Sequence, residues 1–166
     1  MDKRQLFNTL VAQITHIIHG DSTTDSKLRA ICNLLRDTVP GYDWVGFYLV
    51  NPHNDELVLG PFAGKPTIHT RIPFGKGICG RVAHTKQPLI ISDVSKEDNY
   101  LACDINVRSE AVIPIFLDNN FVAELDIDSH QPSAFTDEDK DFLIKVCELV
   151  APLLGLSLIH ISEPTD

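Results

Sequence analysis

In FVAELDIDS, residues 121–129, acidic and apolar side chains alternate. In a β-strand successive side chains point to opposite faces, so Glu124, Asp126 and Asp128 share one face and Leu125 and Ile127 the other. The same period places Trp44, Gly46 and Tyr48 of DWVGFYL together, leaving Val45, Phe47 and Leu49 for a core. It also sets Glu110, Val112 and Pro114 opposite Ala111, Ile113 and Ile115. Two aromatics with polar tips and several carboxylates are thus expected to line one side of a single sheet. Three aligned carboxylates repel one another. Either that face is solvated, or it meets a cation in a pocket: a divalent metal or an ammonium group.

The remaining segments supply the layer that covers the apolar face. Leu6, Phe7, Leu10, Ile14, Ile17 and Ile18 recur at helical spacing, as do Leu28, Ile31, Cys32 and Leu35, which predicts two opening helices. ELVLGPFAG, IHTRIPF and PLIISDV read as further β-type runs, and NPHNDE and DNN as hairpin loops joining antiparallel neighbours. SAFTDEDKDFLIKVCELVAPLL opens with a capping-box pattern, Thr136 to Asp139, and continues with a broad apolar face, giving a closing helix. Helices at both ends of a mainly antiparallel sheet define an α+β domain, expected over residues 1–155 with its first helix in 1–20. The last eleven residues, LSLIHISEPTD, are similar to the translation of a sequencing adapter and are set apart as a non-native tail, 156–166.

A formal net charge of −9 without any run of Lys or Arg argues against nucleic acid and anionic membranes as partners. The N-terminal segment mixes Asn, Thr, Gln and His among its apolar residues, unlike a signal peptide, so the expected location is cytoplasmic. The four cysteines are then expected to be mainly reduced, and their spacing matches no zinc site. Cys32 and Cys147 fall on apolar helical stripes and read as core residues.

GKGICG, Gly75–Gly80, fits the G-x-G-x-x-G pattern of dinucleotide-binding loops, yet only RVAHTK separates it from the next β-type run, too little for the helix that motif requires. A glycine-rich turn opening a short helix is expected instead. That leaves Cys79 either as a thiol activated near a helix N-terminus or as a small buried residue. A metal held by Glu124, Asp126 and Asp128 is not expected, because alternating residues of one rigid strand cannot easily wrap an ion. No nucleophile elbow supports a hydrolase.

Taken in order, WVGFY, LVLGPF, IPFGKGICG, DV, NYLACD, SEAVIPI and ELDIDS resemble GAF domains of the free methionine-(R)-sulfoxide reductase type, over about residues 20–155. The resemblance implies a six-stranded antiparallel sheet with the terminal helices on one face, a ligand pocket on the other, and a homodimer. It implies thiol-dependent reduction of free L-methionine-(R)-sulfoxide with no bound cofactor and no metal, thioredoxin being the external reductant. Cys103 matches the attacking cysteine and Cys79 the cysteine of the GICG motif. Trp44 and Tyr48 match contacts to the methyl-sulfur end, with Glu110, Asp126 and Asp128 as polar contacts. One position departs from the family: His69 stands where these reductases carry the usual resolving cysteine. A GAF domain that binds a small molecule without turning it over is the alternative this departure keeps open.

The acids fit such chemistry only through the substrate. One full negative charge about 5 Å from a thiol, at an effective dielectric of about 20, raises its pKa by on the order of two units. Clustered carboxylates cannot all remain ionised, so one is expected to keep a proton for the sulfoxide oxygen while the remaining charge pairs with the substrate ammonium.

Overall fold

The computed structural model describes residues 2–98, 100 and 104–155. Cys103, together with Asn99, Leu101, Ala102 and the tail 156–166, lies outside the described residues. Two helices open the chain, α1 (Lys3–Ile18) and α2 (Thr24–Thr38). Asp2 caps α1 in a capping box with Gln5, and Thr23 caps α2 by accepting from the Ser26 N–H. Their inward stripes are those the sequence periodicity gives: Phe7, Leu10 and Ile14 on α1, and Leu28, Ile31, Cys32 and Leu35 on α2. His19 forms the C-cap of α1.

The sheet follows: β1 (Trp44–Asn51), β2 (Glu56–Ala63), β3 (Arg71–Pro73), β4 (Leu89–Ile91), β5 (Ser109–Leu117) and β6 (Asn120–Ser129). Its order is β3-β2-β1-β6-β5-β4, and every neighbouring pair is antiparallel. Residues 52–55 turn β1 into β2. Asp118 and Asn119, at φ of 52° and 67°, make the two-residue turn between β5 and β6, whose left-handed backbone matches strand twist. The runs IHTRIPF and PLIISDV shorten to three ladder residues each. Outside the ladder, Phe74 and Val94 pack in a cluster with a short helix, whereas Ile68 is exposed.

That helix is α3 (Gly77–Thr85), which the glycine-rich turn opens. The closing helix α4 (Asp137–Val150) begins with the Thr136–Asp139 capping box. On one side of the sheet, Val45, Phe47, Leu49, Ala111, Ile113, Ile115, Leu125 and Ile127 form the main core with α1, α2 and α4. The thiols of Cys32 and Cys147 donate to the carbonyls of Pro61 and Ile113 inside it, and burial pushes both far above the ordinary thiol range. On the other side α3 lies against the sheet, and Ile78, Cys79 and Val82 join Trp44, Tyr48, Leu57, Ile72 and Val112 in a second, smaller core. Among the described residues no helix is long and apolar enough to cross a membrane.

Candidate active site

Register brings the acidic and aromatic residues together. Strand β6 lies between β1 and β5, pairing Trp44 with Asp128, Gly46 with Asp126 and Tyr48 with Glu124 on one flank. On the other flank it pairs Glu110 with Asp128, Val112 with Asp126 and Pro114 with Glu124. All four carboxylates are buried, Glu110 being the most exposed at 4%. The solvated alternative is thereby excluded.

The indole of Trp44 forms one wall. It stacks on Phe62 with ring centroids 5.6 Å apart and stands 6.4 Å from the ring of Tyr48. Its Nε1 donates to the Lys65 carbonyl at 2.9 Å. Two glycines make room for it: a β-carbon at Gly46 would fall 2.4 Å from the indole, and one at Gly64, where φ is +130°, would fall 2.7 Å from it. The Tyr48 hydroxyl donates to the His69 carbonyl at 2.8 Å, tying the half-buried loop before β3 to the same wall.

Helix α3 supplies the thiol. Cys79 sits in its first turn, buried, with Sγ 3.9 Å from Glu110 Oε2. Of the two alternatives for Cys79, the buried residue describes it and activation by the helix N-terminus does not. Burial first, and then the charges of Asp126, Glu124, Glu110 and Asp128, push the thiol well above its ordinary value. Low-dielectric desolvation and like charge outweigh the dipole of a nine-residue helix. Burial likewise raises Glu124, with Asp126 adding to the rise and the nearby thiol opposing it only in part. Asp126 is also raised by burial, against the influence of Glu110 and Cys79. Both carboxyls therefore hold a proton more readily than ordinary acids, as the crowding of the face requires.

Two cavities flank this cluster. A narrow one of about 20 Å³ touches Tyr48, His69, Cys79, Glu110 and Asp126. A larger one of about 400 Å³ has Trp44 and Asp128 on its wall, with Arg36, Lys65, Asp104 and His130 around it. Asp104 accepts from the Asn106 N–H at 2.9 Å and lies 3.6 Å from His130 and 3.9 Å from Lys65. The Asn106 hydrogen bond, with the nearby Lys65 and His130, holds its carboxyl below the usual range. Trp44, Tyr48, Glu110, Asp126 and Asp128 are thus gathered on one face as the alternation places them, and α3 lays Cys79 against it. The predicted nucleophile Cys103 lies outside the described residues, but its neighbour Asp104 borders the larger cavity. Sequence reasoning missed Arg36, Lys65 and His130, which reach this cavity from a helix end and two loops and carry no periodic signal.

A buried acidic face walled by aromatics, with helices behind the sheet and one helix in front, is the architecture of a ligand-binding α+β domain. The sequence matches the GAF domain over residues 23–154, and the chain belongs to the GAF domain family. Within that family it is similar to the free methionine-R-sulfoxide reductase of Escherichia coli (strain K12), 36% identical across 86% of this chain and 85% of that protein. It is also 34% identical to GAF domain-containing protein A of Dictyostelium discoideum, across 89% of this chain and 92% of that one. The free methionine-R-sulfoxide reductase of Neisseria meningitidis, solved in complex with its substrate, superposes with a TM-score of 0.87 at 30% identity, covering 98% of this chain and 95% of that one.

Proposed function

We propose that the protein reduces free L-methionine-(R)-sulfoxide to methionine, with Cys103 as the attacking thiol. The observation that carries this reading is the convergence of Trp44, Tyr48, Glu110, Asp126 and Asp128 on one buried face, beside a cavity bordered by the residue following Cys103. Trp44 and Tyr48 offer an apolar wall for the methyl-sulfur end. The carboxylates offer a partner for the ammonium group, and a proton.

In this scheme the Cys103 sulfur attacks the sulfoxide sulfur while a protonated carboxyl of the Glu110–Asp126 pair protonates the sulfoxide oxygen. The oxygen passes to Cys103, which becomes a sulfenic acid, and methionine leaves as the reduced product. A second thiol then attacks the sulfenic sulfur, forming a disulfide and releasing water. Cys79 is one candidate for that thiol. An external thiol is the other, because His69 cannot form a disulfide and Cys79 is hard to ionise. Thioredoxin would supply the final two electrons. A reducing, cytoplasmic setting belongs to this proposal. A homodimer is part of the same proposal.

The position of His69 favours one second reading, a GAF domain that binds a small amino acid as a non-catalytic sensor. Single-turnover assays with reduced protein separate the two. The reductase reading expects one equivalent of free methionine-(R)-sulfoxide consumed per chain and none by Cys103→Ser. Binding without consumption by the wild type supports the sensor.

A further inference from the structure

Cys79, Glu110 and Asp126 come from three different elements, α3, β5 and β6, and one ligand-capable atom of each lies within 4.8 Å of the others. All three side chains are buried, and all three border the cavity of about 20 Å³, a volume that holds one small ion or one water. A separate observation concerns poorly satisfied oxygen atoms. Among the described residues, Asp126 Oδ1 and both carboxylate oxygens of the fully buried Glu124 lack a hydrogen-bond partner of ordinary geometry. Asp126 lines the cavity itself, and Glu124 stands beside it, close enough to Cys79 for each to shift the other's proton affinity. Buried carboxylate oxygens without a partner are costly, and a bound cation is one of the few groups that compensates them.

We propose that Cys79, Glu110 and Asp126 form a binding site for one thiophilic divalent cation of the Zn²⁺ class. The donor set selects the metal: a thiolate favours zinc-like ions, whereas Mg²⁺ and Ca²⁺ require a shell of six or more oxygens that this cavity has no room for. Tetrahedral zinc, with bonds of about 2.0–2.3 Å, sets its ligand atoms about 3.5 Å apart. The 3.9 Å between Cys79 Sγ and Glu110 Oε2 is near that spacing, and small side-chain rotations close the remainder. A thiolate and two carboxylates carry three negative charges against the ion's two, so a fourth position is left for a neutral water molecule. The geometric objection to a metal on the acidic strand does not apply, since only one ligand comes from that strand. An entering ion displaces the thiol proton.

Binding of the ion does not depend on the reductase proposal, but one consequence rests on it. Because Glu110 and Asp126 serve as the proposed substrate contacts, the ion and free methionine sulfoxide exclude each other, and Zn²⁺ inhibits turnover.

The test is titration of the full, reduced chain with ZnCl₂ by calorimetry, and with CoCl₂ followed by absorbance. One ion per chain is expected, with a thiolate-to-cobalt charge-transfer band in the near ultraviolet and no binding heat from MgCl₂. Cys79→Ser is expected to abolish the band and to weaken Zn²⁺ binding at least about tenfold, Asp126→Asn to weaken it similarly, and Cys103→Ser to leave both in place. Absence of stoichiometric Zn²⁺ binding to the wild type, or a band that survives Cys79→Ser but not Cys103→Ser, overturns the site. These readouts need no variant to be active. Zinc binding without sulfoxide reduction leaves the site standing and removes the reductase, while reduction without zinc binding does the reverse.

Discussion

Gly46 lies directly beneath the indole of Trp44, so close that a β-carbon there would stand 2.4 Å from the ring and 3.0 Å from the Phe62 Cβ. The strand that supplies the acidic face's nearest neighbour therefore also sets the height of its aromatic wall. Gly46→Ala is expected to push the indole outward into the space a ligand's methyl-sulfur end would fill. Such overpacking costs about 1–3 kcal/mol. Urea denaturation should show that loss, and calorimetric titration with free methionine should show weakened binding. Unchanged affinity would mean that Trp44 forms no part of the ligand wall.

Glu124 has no ordinary hydrogen-bond partner among the described residues, and burial raises its pKa. In the unfolded chain a glutamate titrates near 4.3. As pH rises above that value the unfolded state loses this proton first, so the group's contribution to stability is full below about pH 4 and falls as pH climbs through the folded value. Glu124→Gln removes that penalty. The variant is expected to be more stable than wild type at pH 7 by roughly 1–3 kcal/mol, with the difference shrinking toward zero near pH 4. Urea midpoints at the two pH values check this, and destabilisation at pH 7 would contradict it.

Asp139 shows the opposite behaviour. It is fully buried, accepts from the Tyr42 hydroxyl at 2.7 Å and from Thr136, and pairs with Lys3 of α1. Burial alone would raise its pKa, but the hydrogen bonds from Lys3, Thr136 and Tyr42 together bring it below the ordinary value. Its contribution is present above the unfolded aspartate value near 3.9 and is lost as pH falls through the lower folded value. Asp139→Asn is expected to cost roughly 1.5–3 kcal/mol at pH 7 and progressively less in acid. It should also expose α1 to proteolysis before the rest of the chain.

Much of this arrangement is legible from alternation alone. The split of Trp44, Gly46 and Tyr48 from Val45, Phe47 and Leu49, and of Glu124, Asp126 and Asp128 from Leu125 and Ile127, follows from the strand's period of two. The Thr136–Asp139 capping box and the short helix after the glycine-rich turn are equally local features. Distance in sequence hides the rest. Asp139 reads as a capping residue, and nothing local announces its bonds to Tyr42 and Lys3. The rise in the Cys79 pKa comes first from burial and then from acids 31 to 49 positions away, which together outweigh the local helix terminus on which a sequence argument must rely. Apolar patterns around β3 and β4 overstate those strands because packing beneath α3 and ladder pairing leave the same signature. Lys65 and His130 meet Asp104 only through loop geometry.

His69 occupies the position matched to the family's usual resolving cysteine, and its backbone carbonyl, not its side chain, accepts the Tyr48 hydroxyl. His69→Cys is therefore expected to leave that contact intact. If Cys103 forms a sulfenic acid, the variant should increase repeated thioredoxin-driven turnover by about tenfold or more while leaving the single-turnover rate within about twofold of wild type, as effective molarity favours a neighbouring thiol. An NADPH-coupled thioredoxin assay beside a rapid-quench experiment measures the two quantities. No gain in repeated turnover would mean that resolution does not limit the cycle.

The most direct measurement is consumption of the two epimers of free L-methionine sulfoxide by the purified, reduced protein, with dithiothreitol as the electron source. The account predicts loss of the R epimer, persistence of the S epimer, and no activity in Cys103→Ser. Full activity in Cys103→Ser, or failure of the wild type to consume the R epimer even once, contradicts it.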